Sequence, residues 1–153
     1  MAIERALLDT RMATFRQILA RERVTATPQR TEIYREVART EEHPDAELVR
    51  KRLLPRMPHL SLDTVYRALA LFEALGLIRK VEALNDRARY DANMDRHHHF
   101  VCTRCGLVRD FESKAADRLT PPKELRKFGT IHSQHLQYRG VCTACAKRTR
   151  GRG

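Results

Sequence analysis

The chain has 153 residues, enough for one ordinary domain or two small ones, and its composition is that of a globular protein and not of a disordered one. Its 30 Lys and Arg outnumber 19 Asp and Glu, giving a formal net charge of +11. This excess suggests a polyanionic partner, with nucleic acid as the first candidate, although a basic surface that only maintains solubility is the alternative. No segment approaches the roughly 20 apolar residues of a membrane span, and the N-terminus lacks a secretory signal. We therefore expect a cytoplasmic protein with no membrane partner.

The N-terminal part of the chain has the pattern of a helical domain. A first amphipathic helix is indicated by apolar residues at helical spacing, namely Leu8, Met12, Phe15 and Leu19. Three later helix starts have side-chain oxygens that can accept a backbone N–H: Thr27 before Pro28, Asp45, and Ser61. These helices are followed by two predicted strands, Leu77–Leu84 and Arg87–Asp91, about an Asn85-Asp86 turn. Helices followed by a hairpin predict a winged helix-turn-helix.

The predicted helix between Ser61 and Gly76 is the candidate DNA-reading element. Its apolar stripe is formed by Leu62, Val65, Leu69 and Phe72. The stripe leaves Asp63, Thr64 and Arg67 on the other face, with Tyr66 to one side, and these side chains suit base edges and phosphates in a major groove. Ser61, Thr64, Tyr66 and Arg67 are therefore the candidate DNA-binding residues. An ordinary solvated helix face is the alternative.

The C-terminal part reads as a small α/β domain. Strands are predicted at Phe100-Val101 and Leu107–Phe111, and again at Thr130–Tyr138. A helix is predicted within Ser113–Phe128, interrupted at Pro121-Pro122, and Lys147–Gly153 is expected to be a frayed tail. The fold class is thus α+β, with one domain over residues 1–92 and a second over residues 93–153.

The four cysteines of the chain form two CxxC pairs, Cys102 with Cys105 and Cys142 with Cys145. Two such turns supply the tetrahedral Cys₄ shell that Zn(II) prefers, and a shell of four thiolates with no open position is structural. Disulfides are the alternative, but they require an oxidising compartment. Isolated core thiols are a second alternative.

Three imidazoles, His97, His98 and His99, precede the first cysteine pair, and Asp110 follows it. Residues i and i+2 of a strand face the same side, so His97 and His99 can share one ion while His98 points away. Imidazole and carboxylate donors suit Fe(II), Mn(II) or a second Zn(II). The alternative is a surface-exposed run of histidines.

Three motifs in this order resemble the ferric uptake regulator family: TPQR at 27–30, SLDTVYRAL at 61–69, and HHHFVCTRCG at 97–106. The resemblance covers nearly the whole chain. It implies a homodimeric, metal-dependent repressor. Its residues 1–92 would bind a double-stranded DNA operator with an inverted repeat, and its residues 93–153 would dimerise and hold structural zinc.

The resemblance also implies a regulatory Fe(II) or Mn(II) site between the two domains. Its ligands would be His43, Asp91, His97, His99 and Asp110. Asp at position 110 resembles the peroxide-responsive branch, in which oxidation of a ligating histidine releases the metal and then the DNA. Iron- or zinc-uptake regulators that sense metal directly are the alternative.

Two further hypotheses stand beside this interpretation. An auxiliary metal site would use His98 and Asp117 with His132 or His135, although neither histidine has the family's spacing to Cys142. The competing function classes are an enzyme with a catalytic His/Asp metal centre and a zinc-ribbon RNA-binding module. We expect a protein that is not an enzyme, because five protein ligands leave little room for substrate and no general base or nucleophile motif lies nearby.

Overall fold

A computed structural model describes residues 2–82 and 87–150, and the chain divides into two compact units, Met1–Met94 and Asp95–Gly153. The elements of the first unit are α1 (Arg5–Arg21), α2 (Pro28–Ala38), α3 (Ala46–Leu53), α4 (Leu62–Ala74), β1 (Arg79–Glu82) and β2 (Ala88–Asp91). Those of the second are β3 (His98–Cys102), β4 (Val108–Phe111), α5 (Lys114–Asp117), a 3₁₀ helix (Lys123–Lys127), β5 (Gln137–Gly140) and α6 (Thr143–Arg150). None of the described helices is long and apolar enough to cross a membrane.

Side-chain caps fix where three helices of the first unit begin. The hydroxyl of Thr27 accepts the backbone N–H of Arg30, and Pro28 occupies the first helical position of α2. Asp45 caps α3 through a 2.7 Å bond from the Leu48 amide. Ser61 caps α4 through a 3.0 Å bond from the Thr64 amide. The predicted helix starts are confirmed at all three positions.

The core of the first unit is built around three aromatic rings from three helices. The rings of Phe15 and Tyr34 stack with centroids 4.5 Å apart, and Phe72 meets both edge-on at 5.6 and 5.7 Å. All three side chains are buried. Since edge-to-face and offset pairs are the favoured aromatic arrangements, this cluster holds α1, α2 and α4 together and leaves the polar face of α4 outside.

Helix α4 ends at Ala74 and is terminated by Gly76, which adopts a left-handed φ of 68°. The Leu77 amide donates to the Phe72 carbonyl at 2.9 Å, a bond typical of a glycine-terminated helix. Strands β1 and β2 then pair antiparallel, with Arg79 opposite Asp91. Helix α4 followed by this hairpin makes the first unit a winged helix-turn-helix. The end of the predicted strand Leu77–Leu84 and the Asn85-Asp86 turn lie outside the described residues.

The second unit is a three-stranded sheet in the order β4-β3-β5. Strand β3 is central; it pairs antiparallel with β4, with His99 opposite Asp110, and parallel with β5, with His99 opposite Gln137. The central strand therefore carries His98 and His99, and His97 directly precedes it. With the four-cysteine cluster beside this sheet, the predicted α+β fold class is confirmed.

Two local predictions in the second unit were wrong or too generous, and one is confirmed. The strand expected over Thr130–Tyr138 exists only as β5, Gln137–Gly140, because its extent is set by pairing with β3. The helix expected over part of Ser113–Phe128, interrupted or restarted at Pro121-Pro122, is present as α5 before the prolines and a 3₁₀ helix after them. Helix α6 continues through Arg150, so the part of the tail from Lys147 to Arg150 is helical instead of frayed.

Candidate metal centres and nucleic-acid interface

The four cysteines converge on one point of the second unit, with one Sγ atom from each lying within 4.8 Å of the others. Cys102 ends β3, Cys105 lies in the following turn, and Cys142 and Cys145 lie at the start of α6. The Sγ atoms of Cys105 and Cys142 are 3.8 Å apart. Four sulfurs at a Zn–S distance of about 2.3 Å have tetrahedral edges of about 3.8 Å, so the cluster fits zinc.

The surroundings of the sulfurs are those of a closed site, and they favour the thiolate form at Cys102. All four cysteines are free of disulfides, and only Cys105 is exposed. The backbone N–H of Cys142 donates to the Sγ of Cys102 at 3.3 Å and is the main cause that lowers the pKa of that thiol to about 6. The cluster packs against Phe100 and Leu107. A Cys₄ shell leaves no position for a substrate, which is the chemistry of a structural site.

A second set of donors in the same unit consists of His97, His99 and Asp110. The Nε2 atoms of the two imidazoles lie 3.0 Å apart. The Oδ1 atom of Asp110 lies 3.6 Å from the Nε2 of His97 and 3.4 Å from that of His99. Donors bound to one ion at about 2.1 Å lie about 3.0–3.4 Å apart, so this spacing fits a shared metal. Both histidines are buried, and the Nδ1 of His97 lies 2.8 Å from the backbone oxygen of Asp95, an orienting contact typical of metal-binding histidines.

The first unit contributes a separate pair of donors, His43 and Asp91, both buried. The Nε2 of His43 lies 3.5 Å from the Oδ2 of Asp91. His43 adopts a left-handed φ of 52°, a conformation that non-glycine residues keep only where their surroundings impose it. Strand β2 imposes it: the Arg89 guanidinium donates to the His43 carbonyl at 3.3 Å, and the Tyr90 amide donates to the Pro44 carbonyl at 3.0 Å. The loop is thus held so that its imidazole faces the carboxylate at the end of β2.

The residues predicted for an auxiliary site are only partly brought together. The Nε2 of His98 lies 3.3 Å from the Oδ1 of Asp117, and its Nδ1 accepts the Leu136 amide at 3.0 Å. The same Asp117 oxygen lies 2.8 Å from the guanidinium of Arg96, which sequence reasoning missed. The Asp117 carboxylate is therefore already paired with a cationic side chain, that of Arg96.

The two remaining histidines of that hypothesis, His132 and His135, are exposed. The ring of His135 lies edge-on to His99 with centroids 6.4 Å apart. The auxiliary site stays a prediction.

The polar face of α4 has the character expected of a nucleic-acid interface. Ser61, Asp63, Tyr66 and Arg67 are exposed, and Thr64 is half-buried. The guanidinium of Arg67 pairs with the Asp63 carboxylate at 2.5 Å, one turn away on the helix. The hydroxyls of Ser61 and Thr64 lie 2.8 Å apart at the N-terminus of α4, where backbone N–H groups favour phosphate. Donors for both bases and phosphates therefore share one exposed face.

A comparison with known proteins agrees with this arrangement of winged helix, cysteine cluster and histidine strand. The pattern that defines the ferric uptake regulator family matches residues 21–139. The chain belongs to this family. It is 29% identical over 123 residues to the peroxide-responsive repressor PerR of Staphylococcus epidermidis, covering 80% of this chain and 81% of the relative.

Solved structures of family members have the same fold. The Helicobacter pylori ferric uptake regulator superposes with a TM-score of 0.76 at 20% sequence identity, and the match covers 95% of this chain and 97% of that one. That structure is described as having three functional metal-binding sites. The Campylobacter jejuni peroxide stress regulator superposes with a TM-score of 0.63 at 27% identity, covering 84% and 97%.

Proposed function

We propose that this family member is a transcriptional repressor that binds double-stranded DNA when a regulatory metal is bound, and that it is not an enzyme. The observation that carries the proposal is the meeting of two buried imidazoles and a carboxylate, His97, His99 and Asp110, in a chain whose other unit is a winged helix. A protein of this kind needs no substrate site, because its output is a change in DNA affinity.

DNA contact is assigned to the winged-helix domain, residues 1–92, through the exposed face of α4. Residues 93–153 are assigned to dimerisation and metal binding. Large apolar side chains are exposed on this second unit and are available for a partner copy: Leu119, Phe128, Ile131, Tyr138 and Val141. A two-fold dimer presents two α4 helices to two half-sites, so the operator is expected to be an inverted repeat.

The two donor sets are assigned to different metals. The cysteine cluster holds one structural Zn(II) in each chain. One Fe(II) or Mn(II) is held by His43, Asp91, His97, His99 and Asp110. Two of these ligands belong to the first unit and three to the second, so binding of the ion favours whichever arrangement of the units presents all five. If that arrangement is the one that fits DNA, metal stabilises the repressor by its differential affinity for that state.

Peroxide is the proposed signal, because the curated relatives in the comparison are peroxide-responsive repressors and position 110 is Asp. An Fe(II) ion held by these residues would supply the chemistry that reduces peroxide, with one H₂O₂ consumed and one water released for each oxygen atom added to a ligand. Addition of one oxygen atom to the imidazole of His43 or His97 removes a donor. The remaining ligands bind the ion more weakly, and the DNA is released.

The test is operator binding by the purified dimer loaded with Fe(II), Mn(II) or Zn(II) in turn, before and after peroxide. The Fe(II) form is expected to lose DNA and to show a 16 Da gain on a tryptic peptide containing His43 or His97, where the mass is that of one oxygen atom. The Mn(II) form is expected to retain DNA at the same dose.

A different outcome would select the alternative function. If the cysteines oxidise first and both histidines remain intact, peroxide sensing fails. If DNA binding then follows only the concentration of Fe(II) or Zn(II), the protein is an iron- or zinc-uptake regulator that senses metal occupancy. DNA binding that needs no metal at all would refute both.

A further inference from the structure

The side chain of Arg148 forms a hydrogen bond to a cysteine sulfur of the zinc cluster. Its Nη2 atom donates to the Sγ of Cys145 at 3.0 Å. The two residues are three positions apart in α6, and positions i and i+3 of a helix lie on the same face. The contact therefore follows from the helical conformation of the tail, which the sequence alone did not indicate.

The charge of a filled cysteine cluster would be stabilised by such a donor. Zn(II) carries two positive charges and four thiolates carry four negative ones, so a filled Cys₄ site has a net charge of −2. Three of the four cysteines are buried, and a buried charge is costly unless it is hydrogen-bonded or paired. Cys102 receives a backbone N–H, whereas Cys145 receives the charged guanidinium of Arg148. Hydrogen bonds that involve ionised groups are about twice as strong as neutral ones.

We propose that Arg148 is the charge-balancing partner of the zinc thiolates, and that its bond to Cys145 slows zinc loss and lowers the nucleophilicity of that sulfur. The inference rests on the structural zinc of the proposed function. A donor to a metal-bound sulfur withdraws electron density from it, so the sulfur is less able to attack an electrophile or accept a proton. Protonation or alkylation of a ligating sulfur is a route by which a tetrahedral thiolate site loses its metal.

The alternative is that Arg148 is a solvated side chain that contributes only general positive charge. Lys147 provides the matched control, because it is the preceding residue of α6, is exposed, and carries the same charge. The zinc-loaded dimer is prepared in two variants, Arg148→Ala and Lys147→Ala. Each substitution removes one positive charge from α6. Arg148→Lys keeps the charge but loses the planar guanidinium.

Zinc release is measured by transfer to an excess of the chromophoric chelator 4-(2-pyridylazo)resorcinol. Removing an outer partner of a metal ligand commonly costs 10–100-fold in metal affinity, so Arg148→Ala is expected to release zinc on the order of tenfold faster than the wild type. Lys147→Ala should release it at the wild-type rate, and Arg148→Lys should fall between. Circular dichroism of the loaded proteins verifies that α6 has not been lost.

A second measurement locates the effect on one sulfur. Alkylation with iodoacetamide is followed at each cysteine by mass spectrometry. Arg148→Ala should increase the alkylation rate of Cys145 above its wild-type value, and it should increase the rate of Cys102 less. Equal zinc-release rates in Arg148→Ala and Lys147→Ala, with no change at Cys145, would overturn the inference and leave the zinc site standing. Wild-type protein that binds no zinc would overturn the zinc site and the inference together.

Discussion

Loss of one zinc ligand is expected to unfold the second unit while the first unit remains folded. The two units differ in how much apolar surface they bury. The first has a continuous core centred on Phe15, Tyr34 and Phe72. Among the described residues of the second, the buried apolar side chains other than cysteines are Val101, Val108 and Ala116.

The magnitudes show why zinc dominates the stability of the second unit. Complete burial of a valine contributes about 1.5–3 kcal/mol, so Val101 and Val108 together supply about 3–6 kcal/mol. A structural zinc contributes about 10–16 kcal/mol at neutral pH. That figure is comparable to the whole stability of a typical domain, about 5–15 kcal/mol.

The perturbation is Cys142→Ser, and the assay is hydrogen–deuterium exchange followed by mass spectrometry. Zinc content should fall well below one ion per chain. Amides of β3, β4 and α6 should exchange at rates near those of an unfolded chain, while amides of α2 and α4 keep their protection. Thr143→Ser, an exposed change within the same CxxC turn, is the control and should resemble the wild type.

A zinc-free Cys142→Ser protein that still forms dimers and protects the β3 amides would refute this reasoning. The second unit would then be held by dimerisation or by packing that the apolar burial does not reveal, and the cysteine cluster would be dispensable for folding.

Three further changes test the first unit. If Arg67 reads a base, Arg67→Ala should weaken operator binding by about 1–3 kcal/mol, measured by fluorescence anisotropy titration. A DNA footprint that is unchanged by both Arg67→Ala and Tyr66→Ala would place the DNA-binding face elsewhere. Burial raises the pKa of Tyr34 to about 12 from 10.0. The unfolded state therefore loses the phenol proton first, so the contribution of Tyr34 to the unfolding free energy should be constant well below pH 10 and fall by about 2–3 kcal/mol towards pH 12. Tyr34→Phe should lose less stability than the wild type between pH 7 and pH 11.5, measured by urea titration at both values. Phe72→Ala should lower the unfolding free energy of the first unit by about 3–5 kcal/mol, measured in urea, because it empties the centre of the aromatic cluster.

Predictions from sequence were most accurate where a structure depends on neighbouring residues. Thr27, Asp45 and Ser61 each cap a helix because the capped amide is only three residues away. The apolar stripe of α4 follows from a periodicity within one helix. The separation of His97 and His99 from His98 follows in the same way from the alternation of a strand.

Predictions failed where a structure depends on distant residues. Strand β5 begins at Gln137 and not at Thr130, because its bounds are decided by hydrogen bonds to β3, more than thirty residues earlier. Helix α6 has a strongly polar sequence and no apolar stripe, so periodicity gave no signal for it. The partners Arg96 and Arg148 were missed for the same reason: an arginine in a basic sequence is not distinguished until the fold places a carboxylate or a sulfur beside it.

The division of the proposed regulatory ligands between the two units has a thermodynamic consequence. His97, His99 and Asp110 already lie close together within the second unit, so in the proposed function this unit alone would supply three of the five ligands. The ion can change DNA affinity only to the extent that it binds one arrangement of the units more tightly than the others. That difference must come from His43 and Asp91, since the other three ligands are the same in every arrangement. A shift from 1% to 99% of the DNA-competent state requires about 5.5 kcal/mol of differential binding. Oxidation of His43 would remove much of this coupling while leaving a three-ligand site, whereas oxidation of His97 would weaken the site itself. Both lead to loss of repression, but only the first would leave metal bound to a protein that has released its DNA.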